Sequence, residues 1–525
     1  MANAPHTLVA RLEDEHRELE IDFLKAYWDS QIEAGAESES RRADTELNLR
    51  RAKGDPVAYE QVLDALDQPL HDPILRRQLE VLRLSMTEDQ MDEALRSQIV
   101  ELSTAVEGEF ASYRPEVDGK NLSDNEIDQV LKTSDDEPLR QRVWRASKEI
   151  GGLVAGRVRE LARLRNKAAH ERGFADFYRM SLELEELSEE WLFGLLDDVA
   201  RFTEEPFTRF KRDLDAKLAA RFEVDTVYPW HYADPFFQSL PPDGGVTLDR
   251  LVSDQSPPEL AARTFSGVNI DLSEVLAASD LYPREKKSQH AFCINIDRSR
   301  DVRILANVVP DERWTTTMLH ECGHAAYDVS ISEDLPYLLR TPAHTFTTEA
   351  IAILSGRWVR DAGWLSQIAG VADAELRELA PQLQKVEATE SLLFARWVLV
   401  MSHFERELYS DPESDLDRLW WELVERFQLV NPPDSHASDW AAKIHIASAP
   451  VYYHNYLLGE ILAKQIESTL QREAGGMVDS PAAGDLLKRR FFGPGNLMRW
   501  DALIEGSLGS ALSVKPFAEW VGGSV

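Results

Sequence analysis

Near the middle of the chain, at His320-Glu321-Cys322-Gly323-His324, two imidazoles stand four residues apart with a carboxylate directly after the first. Four residues are slightly more than one helical turn, so on a helix both rings leave the same face and reach one ion. Zinc suits this pair: with one coordination position left open it lowers the pKa of water from 15.7 to about 7. Glu321 would stand beside that water and take its proton, which is the chemistry of metal-assisted hydrolysis. With 13 histidines in 525 residues, the pattern arises by chance about 0.03 times in such a chain, so coincidence is a weak account of it.

A third protein ligand would complete the site while leaving room for water. Glu349, in the helical run Thr347-Thr348-Glu349-Ala350-Ile351-Ala352, is the best placed candidate. Acidic residues are common, so position alone leaves a ligand and an ordinary solvated carboxylate equally open. His344 follows a turn at Pro342 and reads as a loop or capping histidine.

The elements that must hold these groups are mostly helices. The motif lies in the apolar helical stretch Trp314 to Tyr327. Directly before it, Ala291 to Asp297 and Asp301 to Val308 alternate and are β-rich, joined by Arg298-Ser299-Arg300, which predicts a hairpin whose edge can bind an extended peptide. Leu8, Leu12, Leu19, Phe23 and Tyr27 share one helical face, and Val158, Leu161 and Leu164 repeat the pattern in a helix that Gly173 is placed to end. Pro and Gly cluster at Gln238 to Val246, Ser253 to Pro258, Asn431 to Ser438 and Ala474 to Gly484, which read as loops between helices. With no flexible linker and no internal repeat, the expectation is one continuous, mainly α-helical body over residues 1–525. Residues 1–250 would form a helical half and 251–525 the half with the motif.

Composition narrows the class. A 43% hydrophobic chain with 20 Phe, 13 Trp and 13 Tyr has ample core and is not disordered. A formal charge of −34 repels phosphate backbones and anionic lipid, which excludes nucleic acid and membrane partners. It favours cationic substrates, or serves solubility alone. Two cysteines, Cys293 and Cys322, make no disulfide framework and suit a reducing compartment. The charged first 22 residues lack an apolar leader core, and no stretch approaches about 18 apolar residues, so a cytoplasmic protein is expected. No pattern specifies an oligomeric state.

HECGH with a following glutamate at this spacing resembles the helical, channel-shaped zinc metallopeptidases that include angiotensin-converting enzyme and the thimet-type oligopeptidases. His290-Ala291, Lys443-Ile444-His445, Tyr453 and Tyr456 stand where the converting enzymes carry peptide-binding groups, and Tyr452 to Glu460 is similar to the tyrosine-rich helix of the thimet type. Leu164 to Ala169 and Gly493 through Trp520 extend the likeness over nearly the whole chain. Taken alone, the tyrosines read as core packing, Lys443 as a solvated charge, and His290 and His445 as structural.

The resemblance implies a mainly α, elongated, two-lobed body with a deep central channel, a small hairpin beside the zinc helix, and N-terminal helices acting as a lid. It implies one Zn2+ held by His320, His324 and Glu349, with Glu321 as general base and Tyr456 on the oxyanion. His290, Ala291 and His445 would bind the peptide backbone, and Lys443 with Tyr453 the substrate's C-terminal carboxylate. The implied activity is hydrolysis of short peptides with release of C-terminal dipeptides. An internally cutting oligopeptidase, a carboxypeptidase or an inactive peptide-binding protein are the alternatives, the last opposed by the intact Glu321. Two positions depart from the converting enzymes. Asn455 stands where chloride-activated members carry arginine, and Ile353 replaces an aspartate that supports a zinc histidine, so that support must be built differently.

Overall fold

A computed structural model describes residues 4–240, 248–434 and 437–524. By contact the chain divides into two compact units that interleave along the sequence. The first comprises Met1–Gln90, Thr247–Leu383 and Leu458–Pro516; the second comprises Met91–Val246, Gln384–Leu457 and Phe517–Val525. Both are built of helices, and among the described residues the strands form two small antiparallel sheets of two strands each. The mainly α expectation holds. Among the described residues no helix is long and apolar enough to cross a membrane.

In the first unit the N-terminal helix Ala4–Ile32 buries Val9 and Leu12 against Ala58, Val62, Leu75, Leu79, Leu82, Met86 and Leu338. Its last turns carry Trp28 onto Ile296 and Leu305, with Tyr27 and Trp28 both against the ring of Phe292. Those partners belong to the expected hairpin, Phe292–Asn295 with Val302–Leu305, in register Phe292 to Leu305 and Asn295 to Val302. The ladder is shorter than the alternating segments by one to three residues at each end. At the turn the Asp297 carboxylate accepts from the N–H groups of Ser299 and Asp301. Arg298 adopts φ 54° there and pairs with Glu20 at 2.7 Å. One hairpin edge is taken: Asp280 N–H donates to the Ile304 carbonyl and Ala306 N–H to the Asp280 carbonyl. Lys287 holds that segment through the carbonyls of Asp280, Tyr282 and Ala306.

The second unit is organised on two 34-residue helices, Glu137–His170 and Glu189–Phe222. The first ends just before Gly173, which takes φ 83° as a terminating glycine should. Within its family-like segment, Arg165 donates to the Tyr409 hydroxyl and the Ala447 carbonyl, and Asn166 to the Tyr409 carbonyl. Two proline-marked segments differ from the loop reading: Pro257 opens the helix Pro257–Gly267 and Pro481 opens Pro481–Leu487, positions where the missing N–H costs nothing. Most of the loop expected at Gln238 to Val246, and Ser435 and His436 of Asn431 to Ser438, lie outside the described residues.

Aspartate is the recurrent helix start. Asp55, Asp72, Asp92, Asp136, Asp176, Asp311, Asp361 and Asp415 each accept from backbone N–H groups of the helix they cap.

The contact that matters most for the site joins the motif helix, Glu312–Asp328, to the helix Thr345–Arg357. A Cβ at Gly323 would stand 2.8 Å from Ala352 Cα and 3.0 Å from the Ile351 carbonyl oxygen. Those are backbone atoms, which cannot swing aside. Gly323→Ala is therefore expected to lower the thermal denaturation midpoint, at an overpacking cost of roughly 1–3 kcal/mol, and to weaken metal retention. Gly194→Ala, where nothing lies within 4 Å of an added Cβ, is the helix-interior control expected to hold or raise the midpoint.

Candidate metal centre

Asp311 fixes the start of the motif helix by accepting from Trp314 N–H at 2.6 Å. From that start His320 and His324 project together, ring centroids 5.0 Å apart and nearly perpendicular. The helix Thr345–Arg357 begins at His344, whose Nδ1 accepts from Phe346 N–H, so His344 is the capping histidine its position suggested. One turn later Glu349 reaches back: its carboxylate oxygens lie 3.8 Å from His320 Nε2 and 3.6 Å from His324 Nε2. One donor atom from each of the three side chains lies within 4.8 Å of the others. Tetrahedral zinc ligands at about 2.1 Å stand about 3.4 Å apart, so small rotations close the triad on one ion and leave a fourth position open.

The electrostatics fit a cation. Burial pushes His320 down to about 4, and burial with the neighbouring His320 pushes His324 down to about 3, so both imidazoles are neutral near pH 7. Two neutral imidazoles whose Nε2 atoms stand beside a carboxylate make a donor set that a divalent ion stabilises. Burial, then the charge of Glu460, lifts Glu349 to about 7, while Glu460 itself pairs with Arg357. Glu321, buried, is lifted to about 8 by desolvation and then by Glu349, against a hydrogen bond from Cys293 N–H.

Support for the histidine comes from an unexpected side chain. His324 Nδ1 lies 2.8 Å from the Thr348 hydroxyl, which orients the ring so that Nε2 faces the triad. Ile353 therefore has a local substitute in Thr348, one residue before Glu349. Gly459 completes the packing, since a Cβ there would stand 3.1 Å from Glu349 Cγ. His290 lies exposed, and Ala291 half-buried, immediately before the free-edge strand of the hairpin in the same unit.

The remaining expected residues gather in the second unit. Lys443 Nζ donates to Gln238 Oε1 at 3.2 Å and stands 5.1, 5.3 and 5.8 Å from the ring centroids of Phe236, Trp397 and Tyr453. Burial lowers it to about 8, against the charge of Asp234. The His445 ring lies 5.2 Å from that of Tyr453, and its buried Nδ1 has no hydrogen-bond partner. Tyr453 is buried and Tyr456 half-buried, their rings 5.7 Å apart. Asn455 donates to Glu185. The backbone leading into this helix is strained at Val451, φ 56°, where the N–H donates at 2.8 Å to the buried carboxylate of Glu405. Thr348, Gln238 and Glu405 carried no signal in the sequence: a threonine beside a glutamate, a glutamine before a proline run and a glutamate in a long helix are ordinary.

Residues 276–522, which hold the motif, match the family model described as Peptidase family M3, and residues 2–196 match the one described as Angiotensin-converting enzyme. No curated protein matches the chain in sequence. With both matches on one chain, and a half-buried His-His-Glu triad within the first of them, the chain belongs to the metallopeptidase superfamily that contains angiotensin-converting enzyme and the thimet-type oligopeptidases, and it is a metallopeptidase.

Proposed function

We propose that the protein releases dipeptides from the C-termini of short peptides. The observation that carries this reading is Lys443. Its ammonium sits among three aromatic rings with a neutral amide as partner, and among the described residues no carboxylate lies within ion-pair distance of it. Asp234, the nearest acidic influence, spends its carboxylate on the N–H groups of Phe236, Gln238 and Ser239. A desolvated cation held in this way attracts a substrate carboxylate strongly and specifically. Gln238 and Tyr453 flank it as further donors.

His320, His324 and Glu349 would hold Zn2+, which when bound polarises the scissile carbonyl and acidifies water. Glu321 takes a proton from the attacking water and returns it to the leaving nitrogen; Cys293 N–H fixes the carboxylate for both transfers. Tyr456 donates to the developing oxyanion. His290, the backbone at Ala291 and the unpartnered His445 hold the peptide extended. The match of the motif-bearing half to family M3 favours a second reading, an oligopeptidase that cuts internally.

Three outcomes test these roles. His324→Ala is expected to lose the metal in elemental analysis, whereas Glu321→Gln keeps about one zinc per chain and loses nearly all turnover. Metal at full occupancy in the first variant, or wild-type turnover in the second, would contradict the assignments. Tyr456→Phe is expected to lower kcat by roughly 10² to 10³, about 3 to 4 kcal/mol, with KM little changed; a loss confined to KM would move the tyrosine to ground-state binding. C-terminal amidation should slow cleavage by tens-fold, and Lys443→Ala should erase the difference between free-acid and amidated peptides. Because a lowered lysine loses its charge as pH rises through about 8, the free-acid advantage in kcat/KM should fade above that pH in the wild type. Equal cleavage of amidated peptides at internal bonds would select the oligopeptidase reading.

A further inference from the structure

Seven residues beyond Glu321, two helical turns along the same face, the motif helix ends in Asp328. The free-edge strand of the hairpin runs alongside. Cys293 gives its N–H to Glu321 and lies in the field of both Glu321 and Asp328, and Asn295 donates to Asp328. The alternate residues of this strand, Phe292 and Ile294, pack toward Trp28 of the N-terminal helix, so Cys293 and Asn295 present the face toward the motif helix. Pairing with Val302–Leu305 occupies one side of this strand. The ladder pairs Ile296 N–H with Asp301, and in antiparallel alternation that turns the N–H of Cys293 away from the partner strand, toward Glu321.

Asp328 has no basic partner. Among the described residues no lysine, arginine or histidine lies within ion-pair distance of it, and the polar group that meets it is a neutral amide. It is half-buried, and burial pushes its carboxyl up to about 7. Asn295 Oδ1, beside it, is buried with no hydrogen-bond partner. A carboxylate and an orphaned amide oxygen side by side are two acceptors awaiting donors, and the ligand chemistry that offers several N–H donors with positive charge is an ammonium or guanidinium.

Two strand residues advance about 6.6 Å, and a substrate extended along the edge repeats its side chains at the same interval. We propose that Asp328 and Asn295 form a subsite for a lysine or arginine side chain of the substrate, two or three residues before the scissile bond. The proposal rests on the peptidase reading above and adds to it a substrate class, basic peptides. The net charge of −34 draws such peptides toward the protein.

The test is a peptide series of fixed sequence in which one lysine is walked through the four positions before the cleaved bond, with norleucine as the uncharged isostere, on the zinc-loaded enzyme. Wild type is expected to show about a ten-fold higher kcat/KM for lysine over norleucine at the second or third position, diminishing as salt is raised. Asp328→Asn, which keeps the contact to Asn295 and removes the charge, is expected to bring that ratio near one while leaving the norleucine peptide's rate unchanged. Asn295→Asp, made in parallel, is expected to enlarge the ratio, and it decides the matter if the first variant does not fold. No lysine advantage in wild type, an advantage that survives in Asp328→Asn, or no gain in Asn295→Asp overturns the subsite. Mass spectrometry of the products keeps this separate from the dipeptide reading: internal cuts with the lysine ratio intact sink that reading and leave the subsite standing.

Discussion

The separation between two helices sets everything at the metal centre. Three donor atoms from Glu312–Asp328 and Thr345–Arg357 fall within 4.8 Å of one another because nothing stands between the helices at Gly323, where a single methyl would overlap the Ala352 backbone. The N-caps set the phase. Asp311 and His344 fix where each helix begins, and hence which residues face the seam. Gly459 removes the obstacle behind Glu349. A ligand set is usually described by the atoms that bind; here it depends as much on Cβ atoms that are absent.

What could be read from residue order was whatever has a short period. The i, i+4 histidines, the alternating strands around Arg298-Ser299-Arg300 and the capping place of His344 are local facts, decided within a turn or a pleat, and the structure contains them. Gln238 meets Lys443 across 205 positions, and no local pattern announces such a pair. Thr348 is illegible for a different reason: a threonine beside a glutamate is ordinary, and its hydroxyl matters only because the seam brings His324 to it. Amphipathic periodicity records which face of a helix is buried and not what buries it, so the interleaved course of the chain through two units lay beyond it. Clustered prolines punctuate loops and open helices alike, and Pro257 and Pro481 do the second here.

The acidity of the chain has a partial structural account. Eight aspartates are occupied at helix starts, where their charge meets unpaired N–H groups and the positive end of the helix dipole. Many glutamates pair with arginines on exposed helix faces, contributing little each. Against that background of occupied or solvated carboxylates, a half-buried one without a basic partner stands apart, and Asp328 is such a group.

Backbone strain marks the other group of functional candidates. Val451 holds φ 56°, a region that costs a β-branched residue roughly 1–3 kcal/mol. Something must hold it there, and the Glu405 carboxylate does so by accepting the Val451 N–H at 2.8 Å from a fully enclosed position. Burial raises that carboxyl to about 8, with the Val451 bond and Arg165 acting the other way, so the charged form depends on the very contact it makes. Arg165 in turn donates to the Ala447 carbonyl and the Tyr409 hydroxyl, which ties the same loop to the long helices. Two residues after the strained valine the helix of Tyr453 and Tyr456 begins. The turn that aims both tyrosines is thus fixed from beneath by a buried carboxyl, and a glycine at that position, although relaxed at φ 56°, would let the helix start wander.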